Sequence, residues 1–435
     1  MTAQAAGVGG LGGNGASSSG PGEHGGSGGA AAGGAINFGS VLGTGSDTGG
    51  FILGDALVNA AATGGQGGTG GAGIPPGRSG SGGNATGGAV AMLFDAGGST
   101  LAVGGELVVR ADATGGSTGP CFTACVVTSG SGTGGTINVG SDGLTTGNQI
   151  TASTLELSAF GTGGNSSTAD GAVGVGGNVF LRLGSGMTLT AGDVSLSAFA
   201  EGGDSFSDEV PGLFGGSALG GNAQFTASGT SSAAISGQVS IVANASGGFS
   251  SGPGGVGGNG AAGTARLYSD GGNIDIVGDA DLRANGSGGN GGTDGVTGAG
   301  GTGLGGNALL TVGTPTLLGN GGRIAVAGSV SASSGAIGGA GFIAGNATGG
   351  LTAIVARQGT LDLAQVIATV NATGGEGING GAGGMGKGGA IEIFAHNAIE
   401  GGALLTADSL LAQATALGGG GGNIFDPNAV GAVGG

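Results

Sequence analysis

The sequence predicts an all-β chain wound as a parallel β-solenoid, and three observations carry that expectation. Glycine supplies 123 of 435 residues, yet 38% of the chain is hydrophobic and mean hydropathy is +0.31. Disordered chains are instead poor in apolar residues and rich in charge. Short segments alternate apolar and polar residues with period two, the signature of a strand with one buried face. Finally, a Gly-Gly pair precedes such a segment again and again at a near-constant interval.

Composition narrows the class further. There is no Gly-X-Y period and only 8 Pro, which excludes a collagen triple helix. The apolar residues are mainly Ala, Val, Leu and Ile, with no Trp and a single Tyr, Tyr268. Small side chains of this kind suit a narrow core.

The repeat is anchored at Gly33, Gly87, Gly134, Gly176, Gly220, Ala262 (in a degenerate Ala-Gly), Gly305, Gly349 and Gly388, at intervals of 39 to 54 residues. After each anchor comes an alternating segment, as in "AVAMLF", "NVFLRL" and "AIEIFA". A turn with Gly, Ser or Asp leads to a second segment, as in "STLAV", "MTLTA", "NIDIV" and "RIAVA". A Gly-containing corner then leads to a third, as in "ELVVRADA", "TLELSAF", "DVSLSAFA" and "QVSIVANA".

One face of the third segment carries Leu107, Val109 and Ala111, then Leu155, Leu157 and Ala159, then Val194, Leu196 and Ala198 in successive copies. It continues as Val239, Ile241 and Ala243, then Ala280, Leu282 and Ala284. The recurring alanine implies a stacked column in a tight place, expected where the coil turns a corner.

Three short strands per repeat of about 43 residues describe one rung of a β-solenoid, stable only when stacked on its neighbours. Right-handed coiling follows from the handedness of parallel crossovers. Nine rungs at about 4.8 Å give a rod of roughly 40 Å. The Gly-rich tract after each third strand is expected to leave the rod on one side, either disordered or stacked as extended polyglycine-type strands. In the tract at 201–216, Phe206, Leu213 and Phe214 are expected to fold back on the rod. The predicted organisation is a Gly-rich tract at 1–32, a solenoid at 33–418 and a second Gly-rich tract at 419–435, the whole being a piece of a longer protein.

Charge and chemistry exclude several functions. The net charge is −17, from 25 acids against 8 bases, with Lys387 the only lysine. Nucleic-acid binding needs a basic face with stacking aromatics, and this inventory cannot supply one. No apolar run approaches the roughly 18–20 residues of a membrane span, and "MTAQAAGVGG" is not a signal peptide. Cys121 and Cys125 in "GPCFTACVV" are candidates for a small disulfide formed after export, a free thiol pair being the alternative. Asp204, Asp208 and Glu209 form the densest acidic group, a weak calcium candidate beside the plainer reading of a solvated loop. His24 and His396 read as turn residues. With no carboxylate cluster flanked by bases, neither a catalytic residue nor a cofactor is expected. The Asn-x-Ser/Thr triplets at Asn84, Asn165, Asn244, Asn285, Asn346 and Asn371 read as turn preference.

The units "GGNVFLRLGSGMTLTAGDVSLSAFAEGG" and "GGAVAMLFDAGGSTLAVGGELVVRADATGG", with their siblings over residues 33–418, resemble bacterial filamentous-haemagglutinin-like adhesins and autotransporter passengers. Tracts such as "GGNGGTDG" are also similar to mycobacterial Gly-Ala-Asn-rich surface proteins, which are more uniformly built of Gly triplets. The first resemblance implies a non-enzymatic stalk or passenger at the cell surface, with its export signal outside this stretch. Its partners would be a host or neighbouring-cell surface, or a matrix polysaccharide or protein. A carbohydrate-active β-helix enzyme and a calcium-binding surface-layer or matrix protein are the alternatives.

Overall fold

In the computed structural model the chain is a parallel β-solenoid, with no helix among the described residues. The structure describes all residues except 19–20, 41–49, 73–74, 95–96, 121–126, 142–146, 208–209, 293–296, 314–320, 397–401 and 423–435. The rung at 174–203 shows the plan. It runs through the short strand Gly174–Val175, the strand Asn178–Leu183, the long strand Thr188–Ser197 and the short strand Ala200–Glu201. Equivalent strands of successive rungs pair in parallel: Val179 lies opposite Ile137 and Ala223, and Leu196 opposite Leu157 and Ile241.

Period-two alternation aims one face of each strand inward, and the predicted core is the observed one. Val179, Leu181, Leu183, Leu189, Val194, Leu196 and Ala198 are all at most 1% exposed. They belong to one hydrophobic cluster that runs from Ala56 to Ala368 along the rod. Burying a large aliphatic side chain contributes about 1.5–3 kcal/mol, and here each does so only because the next rung covers it.

Two details differ from the expectation. The second and third strands are not separated by a corner in every rung: they merge into Gln149–Ser158, Thr188–Ser197, Gly322–Ser333 and Gly359–Thr373. At this point Asp side chains also bridge neighbouring rungs, in merged and unmerged rungs alike. Asp193 Oδ1 accepts the Gln238 N–H at 2.8 Å, and Asp279 Oδ1 accepts that of Ser329 at 2.7 Å.

The alanine column is the second difference. It marks a waist rather than a corner, where the two walls of the rung close on each other. A Cβ on Gly176 would run into the Ala198 carbonyl oxygen, and one on Gly134 into that of Ala159. The second glycine of each anchor pair then bonds across the gap: Gly177 N–H to Ala159 O, and Gly221 N–H to Ala198 O, both at 2.8 Å. The Gly-Gly anchor is therefore the far side of the alanine column.

Beyond the waist the described residues of the tracts form a regular array. An outgoing and a returning leg lie face to face, and hydrogen bonds recur every third residue. Gly9, Gly12 and Gly15 donate to the carbonyls of Thr63, Gln66 and Thr69 in the same leg of the next rung, each at 2.8 Å. Gly65, Gly68 and Gly71 donate across to Gly29, Gly26 and Glu23 of the returning leg at 2.8–2.9 Å. Three residues per turn is the period of the extended polyproline II helix, which has no internal hydrogen bonds and must find lateral partners. In a Gly-Gly-x triplet the first N–H thus bonds along the stack and the second across it. The tract at 1–32 supplies legs to this array, and its strands Thr2–Gln4 and Gly7–Val8 pair with the next rung. From core to arm, the inward side chains shrink from Leu to Ala to Gly as the walls converge.

Candidate functional site

The third N–H of many triplets explains most of the polar residues singled out in the sequence. It is capped by a side-chain acceptor from the preceding rung. Asn165 Oδ1 accepts the Asp204 N–H at 2.8 Å, and Asp204 Oδ1 accepts the Phe249 N–H at 3.0 Å. Asp204 is thus a rung-to-rung acceptor, while its proposed calcium partners Asp208 and Glu209 lie outside the described residues, as do Cys121 and Cys125. His24 is not a plain turn residue either, since its Nδ1 accepts the Arg78 N–H at 2.9 Å. The exposed His396 donates its backbone N–H to Ala356 O at 2.8 Å. Among the described residues no three His, Cys, Asp or Glu side chains group as metal ligands would.

All six asparagines of the Asn-x-Ser/Thr triplets are acceptors in these ladders. Asn84, Asn165, Asn244, Asn285 and Asn346 take the N–H groups of Ser131, Asp204, Asn285, Gly335 and Met385. Asn371 takes the Thr415 hydroxyl at 2.7 Å. Turn preference is replaced by axial capping, and the triplet recurs because the rung does. Two arginines follow the same axis: Arg110 meets Glu156 at 3.4 Å, and Arg323 bridges Asp275 and Asp362 on either side.

Several of these carboxyls titrate abnormally. Burial pushes Asp112 above its ordinary 3.8, against the opposing pull of the Phe160 N–H and Ser158 hydroxyl. Burial also raises Asp204, against the Phe249 N–H, and Asp270. The Ser329 N–H and hydroxyl lower Asp279. A raised acid holds its proton more tightly in the folded chain, so its contribution grows as pH falls toward 3.8. Asp279 acts oppositely, and its contribution is lost only as pH falls through 3.8 toward its lower folded value. The thermal midpoint is therefore expected to hold or rise between pH 6 and pH 4.5, and a steady fall over that range would contradict the assignment. Asp112→Asn keeps an acceptor for Phe160 and places there the residue that Asn244 and Asn285 supply in later rungs. It is expected to raise the midpoint at pH 7 and to flatten the pH dependence.

Two of the concavities among the described residues bear on function. One, of about 550 Å³, lies beside the returning legs and is lined by Val127, Ala169, Val173, Val210 and Leu213 among others. Leu213 is half-buried there, but Phe206 and Phe214 do not fold back as expected: they are 43% and 50% exposed. Phe206 instead meets Phe249 of the next rung edge to face at 4.9 Å, because outward triplet positions face away from the other leg.

The second is a groove of about 600 Å³ running along the rod on the outer face of the waist. Its floor is the position after the buried alanine column, occupied in successive rungs by Phe160, Phe199, Asn244, Asn285, Gly335 and Asn371. Phe160 and Phe199 pack edge to face at 6.1 Å, and the groove opens where Asn and Gly replace them. Sequence reasoning missed it because only the register shows which residues share this line.

No protein-family model matches the chain, and no curated protein matches it. Among solved structures, the HMW1 secretion domain from Haemophilus influenzae aligns over 84% of this chain and 91% of its own length, at 13% identity and a TM-score of 0.17. A score that low carries no argument about fold or function.

Proposed function

We propose that this chain is a non-enzymatic rod displayed at a bacterial cell surface, a stalk or passenger that binds neighbouring surfaces through its sides. The observation that supports this is the continuity of the axial bonding. Core strands, glycine arms and capping side chains all bond from rung to rung, so the polar chemistry of the chain is directed along the rod. Repetition of similar lateral faces gives avidity without any strong single site. The exported setting agrees with the acidic surface, which keeps long particles apart.

The test displays the chain on a non-adherent bacterial host through a neutral anchor and measures attachment to epithelial cells and to polysaccharide-coated beads. Attachment above that of the anchor alone is expected. No gain on either surface, or release of reducing ends from the polysaccharide by the purified chain, overturns the reading.

A further inference from the structure

We propose that the groove along the waist is a binding site for an uncharged polysaccharide chain lying parallel to the rod axis. The assignment names a ligand class for the lateral face of the proposed surface rod and rests on that reading for its biological setting.

Three observations carry it. First, the groove crosses five rungs, from Phe199 to Thr373. Four steps at about 4.8 Å make it about 19 Å long, the shape of a polymer segment rather than of a compact metabolite. Second, no residue lining it ionises, although the chain as a whole carries a net charge of −17. Arg283, whose rung contributes to the groove, is already engaged by Asp281 at 2.6 Å. A charged polymer would find no counter-ion here, and a polyanion would meet the repulsion of the surrounding surface.

Third, the lining chemistry suits sugar hydroxyls. Asn244 and Asn371 use their side-chain oxygens along the stack, which leaves their amide nitrogens as donors among the described residues. The Ser333 hydroxyl, which already accepts from Asn285 Nδ2 at 3.0 Å, keeps its own hydrogen to donate, and Thr373 adds a hydroxyl that can both donate and accept. At the closed end, the ring of Phe199 offers an apolar face to the C–H face of a pyranose. A concave, mostly apolar site with a few placed polar groups is the usual form of a ligand site. A peptide strand is a poor occupant, since the groove lies on a sheet face whose backbone groups are already paired between rungs, and strand addition needs a free edge.

The chain contains its own precedent for closing the groove. Phe160 and Phe199 occupy the floor position in adjacent rungs without disturbing the strand register. Asn244→Phe extends that aromatic column by one rung and fills the site.

The experiment titrates the purified chain with cellohexaose, chitohexaose and hexagalacturonate by calorimetry, with saturation-transfer NMR to locate contacts. Binding of at least one neutral hexamer is expected, with a ten-fold or greater loss in Asn244→Phe and none in Phe206→Ala on the arm. Far-UV circular dichroism and the thermal midpoint of each variant verify that the fold is retained. The proposal is overturned if neither neutral hexamer binds, if hexagalacturonate binds as well or better, or if Asn244→Phe folds and binds like the parent. Such failures leave the surface-rod reading standing, because display and attachment are measured separately.

Discussion

Gly203→Ala is expected to open the glycine arm in the middle of the rod while leaving the hydrophobic core beside it intact. The added Cβ would run into the Gly164 carbonyl of the preceding rung, with Gly164 C at 2.6 Å and Ala172 N at 3.0 Å. All three are backbone atoms, and no rotamer change relieves them. The legs must separate, which breaks Gly203 N–H to Ala172 O at 2.8 Å and Gly216 N–H to Gly203 O at 2.7 Å. The two lost bonds leave four buried backbone groups unpaired, and at about 1–3 kcal/mol each the cost is on the order of 4–12 kcal/mol. The loss spreads, because Gly216 also receives Gly248 N–H, which in turn receives Gly258 N–H, each at 2.8 Å. In a stacked array of this kind stability is a sum of rung and interface terms, so the effect should fade within a few rungs. Amide hydrogen exchange reads it directly. Exchange at Gly216 and Gly248 is expected to accelerate by at least ten-fold, with Leu157 and Ile241 unchanged. Gly10→Ala is the control, since nothing lies within 4 Å of its added methyl. It is expected to be neutral or stabilising by up to about 1 kcal/mol through reduced freedom of the unfolded chain. Equal behaviour of the two variants would mean that the arms are not interlocked.

The strands were legible because their cause is local. Alternation in "DVSLSAFA" needs only a buried face, and every inward position it marks, Val194, Leu196 and Ala198, is fully buried. The anchor pairs and the alanine column were visible as a period, but their meaning was not. A corner and a waist both demand small side chains, and only the opposing wall distinguishes them. The arms were harder still. Their bonds join backbone to backbone, so the sequence records them mainly as the lack of side chains, the same mark that disorder leaves. A signal was nonetheless present in the Gly-Gly-x triplets of "GGQGGTGG", whose period of three matches the observed bonding. Asp204 belongs to the densest acidic group of the sequence, which reads either as a weak calcium candidate or as a solvated loop. In space its oxygen faces the next rung's N–H, a partner 45 residues away. The same distance in sequence hid the groove, whose floor residues belong to different rungs.

Ala198→Leu is expected to damage the rod differently from Leu196→Ala, although the two positions are adjacent on one inward face. Leu196 sits where the walls stand apart, stacked between Leu157 and Ile241. Removing its side chain leaves a cavity, at a cost of about 2–5 kcal/mol, and takes nothing from the waist. Ala198 faces Gly176 across the gap, and its carbonyl receives the Gly221 N–H at 2.8 Å. A leucine there has no space to enter, because the opposite surface is backbone. Overpacking of ordinary cores costs about 1–3 kcal/mol where side chains can shift; here the walls must part, and the cross-waist bond is lost as well. The arm with described residues 202–207 and 210–216 begins at this point, so parting the waist should release it. Limited proteolysis separates the two cases. Ala198→Leu is expected to expose 202–207 and 210–216 to cleavage under native conditions, while Leu196→Ala lowers the denaturation midpoint with those residues still protected. If cleavage in that segment is equally slow in both variants, the glycine arm is stable without the waist. The decrease from Leu to Ala to Gly would then reflect three separate packing problems rather than one pair of converging walls.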